Sequence, residues 1–159
     1  MRGVPDMPSA PYDLRRQQAE AEEQLLTQLR ARLATVPPGT EAARQGYVLL
    51  GNAERNRGRP DAAVEAWNRA LAIRFEPQVA ADVAEALMEQ DKDAEAIPLL
   101  SRALAMQPQD IRLRFMTGVA EERAGRPANA RRLWQSIVDD APPDAPWRAM
   151  MERRIQRLP

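Results

Sequence analysis

The sequence predicts an all-α fold: a superhelix of about three stacked helical hairpins, with a helix before them and a capping helix after. Three observations carry this. Ala, Leu, Glu, Gln and Arg dominate, all good helix formers, while β-branched residues are scarce and strand alternation is missing. The breaks alternate between tight turns and longer proline-bearing joints, as paired helices require. And the chain repeats a phrase: GRPDAAVEAW at 58–67 returns as GRPANARRLW at 125–134.

The elements follow in order. Residues 1–12, with prolines at 5, 8 and 11, read as an extended or disordered lead-in. The first helix is expected over 13–36, its apolar positions Ala21, Leu25, Leu26, Leu29, Leu33 and Val36 falling at steps of three and four. VPPGT at 36–40 stops it, and Thr40 caps the next helix, 41–57. Gly58-Arg59-Pro60 turns the chain into a helix ending near 74. FEP at 75–77 is a joint, and helices follow over 78–90 and 93–106. Asp110 is a second N-cap, for a helix over 111–124. Gly125-Arg126-Pro127 then leads into 127–140, and Ala141-Pro142-Pro143 precedes a capping helix over 146–157.

Aligning the second helix of each pair gives the period. Trp67, Leu100 and Trp134 match at steps of 33 and 34, as do Ala63, Ala96 and Ala130. Ala70, Ala103 and Ile137 follow, then Leu71, Leu104 and Val138. In the first helices Gly51, Ala84 and Gly118 align. A large apolar residue facing a small one lets two helices approach closely. A 34-residue helix–turn–helix period with these sizes resembles the tetratricopeptide repeat. The repeats would span about 44–76, 77–110 and 111–144. The stretch 24–38 looks like half of a degenerate earlier repeat. The middle repeat departs, with Ala84 for glycine, Leu100 for tryptophan and Asp91-Lys92 in its turn.

Composition narrows the function. The 159 residues include 23 basic and 23 acidic ones, so the net charge is zero and the strong basic field of a nucleic-acid binder is missing. Lys92 is the single lysine. Without Cys or His, thiol catalysis, thiolate zinc, covalent haem attachment to this chain and imidazole base catalysis are excluded. Carboxylate or lysine chemistry remains, but no constellation supports it. The sequence therefore reads as a non-enzymatic binding domain with no cofactor or metal. No run of 18 apolar residues suggests a membrane span, and the first residues lack the apolar core of a signal peptide.

A hairpin superhelix binds on a concave face lined by first helices. The expected groove stripe is Val48, Asn52 and Arg55, then Ala81, Glu85 and Met88, then Phe115, Val119 and Glu122. Each set runs i, i+4, i+7 and so lies on one helix face. Arg112 joins them as a group able to fix a peptide's register. For Phe115 and Met88, packing onto a neighbouring helix is the competing reading. Trp67, Leu100 and Trp134 are assigned to the core. A clamp for a peptide's terminal carboxylate, usually lysine-rich in such arrays, is not expected.

The flanks carry a narrower resemblance. ARRLWQSIVDDAPPDAPWRAMMERRI (130–155) resembles the end of the bacterial c-type cytochrome biogenesis family CcmI/CycH: Trp134, the joint Pro142-Pro143, Trp147 and a closing helix. GVPDMPSAPY (3–12) resembles the stretch that precedes that family's repeat domain. The resemblance implies a periplasmic holder of apocytochrome c, capturing its C-terminal helix for the haem ligation complex. It also implies a fragment whose membrane-spanning part precedes it. The alternative is a general tetratricopeptide scaffold of another bacterial envelope complex.

Overall fold

The computed structural model describes residues 10–159 and contains eight helices among them. They are α1 (Ala10–Thr35), α2 (Glu41–Asn56), α3 (Pro60–Ile73), α4 (Pro77–Met88), α5 (Asp93–Met106), α6 (Ile111–Arg123), α7 (Pro127–Asp140) and α8 (Arg148–Gln156). No strand occurs among the described residues. Helix α1 begins three residues ahead of the expected start, and the remainder of the expected lead-in, 1–9, lies outside the described residues.

The predicted caps form. Thr40 Oγ1 accepts the Ala43 N–H at 3.2 Å, and Asp110 Oδ1 accepts that of Leu113 at 2.8 Å. The hairpin turns share one geometry. Gly58, Asp91 and Gly125 adopt left-handed φ of 72, 58 and 75°. The residue after each donates its N–H to a carbonyl five positions back: Arg59 to Glu54, Lys92 to Leu87 and Arg126 to Glu121, at 2.8–2.9 Å. Asp91 thus does in the middle repeat what glycine does in the others, since aspartate tolerates this region better than most side chains.

Helices pair as α2 with α3, α4 with α5 and α6 with α7; α1 packs on α2, and α8 on α7. Trp67, Leu100 and Trp134 are fully buried, as the alignment requires. A Cβ built on Gly51 would overlap the Trp67 indole, and one on Gly118 would overlap that of Trp134. The middle repeat solves the same packing with one methyl more on α4 and a smaller partner, Ala84 facing a leucine position. Two apolar clusters result. One runs from Ala63 to Ala120 across three hairpins; the other joins Trp134, Ile137 and Val138 to Met151 and Ile155 of α8 and to Leu158 just after it. Phe115 and Val119 touch both. Helix α8 is pinned further by Arg131, which donates to the carbonyls of Ile155 and Leu158 at 3.2 and 3.1 Å.

Candidate functional site

The first helices α2, α4 and α6 lie side by side and are laced by ion pairs. Arg55 reaches Glu89 at 2.9 Å and Glu85 at 3.7 Å. Arg112 reaches Asp82 at 2.7 Å and the same Glu85 at 2.9 Å. Glu85 therefore bridges two arginines, one from the helix on either side. Burial works against the charge of Arg112, yet its bonds to Asp82 and Glu85 outweigh this and hold its pKa above the ordinary value. These groups are partly exposed, so the ladder fixes helix spacing more than it adds stability.

The structure brings together Arg55, Glu85 and Arg112 of the predicted groove. Val48 is half-buried against the large cluster. Asn52 is exposed, but its Oδ1 accepts the Trp67 indole N–H at 3.0 Å, which ties it to the hairpin as well.

Ala81 and Met88 do not line an open groove. They are 0 % and 8 % exposed and belong to the large cluster. Helix α4 is the central first helix, apolar over most of its surface, with hairpins on both sides and nine buried positions. A stripe that faces the groove on an end helix is covered on this one. Arg123 adds to the cover by donating to the Met88 carbonyl at 3.0 Å.

At the far end the surface opens again. Phe115 is half-buried and stacks on Trp134. The Arg154 guanidinium sits 5.5 Å from the Phe115 ring centroid and 4.7 Å from that of Trp134, and pairs with Glu122 at 3.1 Å. A cavity of about 300 Å³ lies here, lined by Phe115, Met150, Met151, Arg153, Arg154 and Arg157. Phe115 is thus both a packing residue and a wall of this cavity, so neither of its two competing readings stands alone. The α8 residues escaped the sequence-based list because that helix reads as a cap. Their own spacing was the available signal: Met150, Arg153, Arg154 and Arg157 fall at i, i+3, i+4, i+7.

Among the described residues no group of His, Cys, Asp or Glu could hold a metal ion, and no helix is long and apolar enough to cross a membrane.

The tetratricopeptide-repeat family model matches residues 48–110 and 82–146. The cytochrome c-type biogenesis protein CycH of Bradyrhizobium diazoefficiens is 30% identical over 118 residues, 72% of this chain and 32% of that protein. CycH of Rhizobium meliloti is 32% identical over 117 residues, 71% of this chain and 31% of that protein. The chain thus spans about a third of the length of these relatives, and they bear out the resemblance to the CycH family. In fold it is similar to YrrB, described as a tetratricopeptide protein with an unusual peptide-binding site. That match has a TM-score of 0.68 at 17% identity, covering 89% of this chain and 74% of YrrB.

Proposed function

Since the chain belongs to the tetratricopeptide-repeat family and its curated relatives are CycH proteins, we propose that it is a non-enzymatic holder of apocytochrome c, capturing the C-terminal helix of the client for haem ligation. The holder would act in the periplasm, tied to the membrane by a segment outside this sequence, and hand its client to the haem ligation complex. What supports the reading is the similarity to CycH proteins together with the first helices, where the charged ladder Arg55–Glu85–Arg112 shares α2 and α6 with the half-buried Val48, Phe115 and Val119. An apolar strip takes the buried side of a peptide helix, and the flanking charges set its register. Asn52 and Glu122 complete the polar margin.

Titration of the domain with a synthetic peptide of an apocytochrome c C-terminal helix tests the reading. Saturable binding in the micromolar range is expected. A folded domain that binds nothing at high micromolar peptide would refute it and favour a scaffold of another envelope complex.

A further inference from the structure

Helix α8 and the two residues after it present two faces of different chemistry. Met151, Ile155 and Leu158 are buried against α7. Met150, Arg153, Arg154 and Arg157 form a separate stripe, and all four line the cavity beside Phe115. Met150 is 57% exposed, although it is large and apolar. Arg154 is already committed, to Glu122 and to the faces of Phe115 and Trp134. Arg153 and Arg157 are exposed, and among the described residues their guanidiniums have no ion-pair or hydrogen-bond partner. They stand one helical turn apart.

Two free guanidiniums beside an apolar wall suit an anionic group attached to an apolar residue, and at the end of a peptide that group is the terminal carboxylate. Guanidinium forks bind carboxylate oxygens with directed, charge-assisted bonds. The cavity, about 300 Å³, has room for one or two side chains and not for a helix running through it. The feature that ends a peptide there is its terminus. We propose that the cavity between α6 and α8 takes the C-terminal carboxylate of the bound peptide, held by Arg153 and Arg157. The last apolar side chain of that peptide packs on Phe115, Met150 and Met151. Glu122 on Arg154 shows the same pairing within the chain itself. This site departs from the expectation that no terminal-carboxylate clamp exists. That expectation rested on the scarcity of lysine, whereas arginine does this work here.

The inference rests on the peptide-holding reading above, and one experiment separates the two. The same apocytochrome c peptide is titrated as its free acid and as its C-terminal amide, against the parent chain and Arg153→Gln/Arg157→Gln. The free acid should bind the parent about tenfold more tightly than the amide, the scale of one charge-assisted contact. The double variant should bind both forms as the parent binds the amide, with unchanged melting, because neither arginine is buried. Equal binding of acid and amide to the parent would overturn the carboxylate site and leave the holder reading intact. So would a difference that persists in the double variant. Binding of neither form would overturn both.

Discussion

The Phe115 and Trp134 rings stack with centroids 6.1 Å apart and planes inclined by 27°, while the indole N–H donates to the Phe115 carbonyl at 3.2 Å. The two aromatics are neighbours with different duties. Trp134 is wholly buried and joins α7 to α6 and α8; Phe115 is half-buried at the cavity wall. Trp134→Ala should therefore cost about 3–5 kcal/mol of stability. Phe115→Ala should cost less, about 1–3 kcal/mol, and weaken peptide binding more than folding. Thermal melts and binding isotherms on both variants check this. An unchanged melting temperature for Trp134→Ala would refute its core role.

Gly51 and Trp67 make a testable pair. Gly51→Ala gains helix propensity but drives a methyl into the indole. A net loss of about 1–3 kcal/mol is expected from overpacking. Trp67→Leu makes the room that Ala84 enjoys in the middle repeat. In a double-mutant cycle, Gly51→Ala/Trp67→Leu should be more stable than the sum of the singles by about 1–2 kcal/mol. Simple additivity would show that the glycine answers some other demand.

These pairs explain why the repeat frame was legible. Glycine against tryptophan and alanine against leucine are local volume rules, so they recur at a fixed step. Thr40, Asp110 and the three turns follow from backbone chemistry that a few residues specify. The burial of Ala81 and Met88 was not legible in the same way. It depends on α4 being covered from both sides, which no helical stripe encodes. The same holds for Arg112 and Glu85, whose partners lie 27 residues apart on a neighbouring helix. Long-range ion pairs leave no periodic mark.

Acid should loosen the first turn of α2. Glu41 accepts hydrogen bonds from Arg44, with Arg74 and Gln45 adding to them against a smaller cost of burial. Its carboxyl is thereby lowered from about 4.5 to about 2. A depressed folded-state pKa contributes stability above the unfolded value, and that contribution fades as pH falls towards 2. Glu41→Gln should melt lower than the parent at pH 6, and the gap should close between pH 4.5 and 2. A gap that persists at pH 2 would mean the arginine contact does not depend on the charge.

Glu54 holds α1 to the array. It is 2 % exposed, and its carboxylate receives Arg30 from α1 and Arg59 from the hairpin turn, the latter at 3.4 Å. Around it Glu23 receives Arg59 at 2.7 Å and Arg57 at 3.2 Å, while Arg57 also reaches Glu22 at 2.9 Å. Among the described residues of α1, Leu26 and Leu33 are the buried apolar ones, so this helix brings little core to the array. A buried carboxylate that anchors two arginines from different elements is costly to remove. Glu54→Gln keeps the shape and removes the charge. It should free α1 before it unfolds the hairpins, because α2 stays packed on α3. Limited trypsin digestion then reads the result. Cleavage at Arg30 and Arg32 should accelerate severalfold while α4 to α7 stay protected. Acceleration spread evenly through the hairpins would place Glu54 in the stability of the whole array and not in the docking of α1.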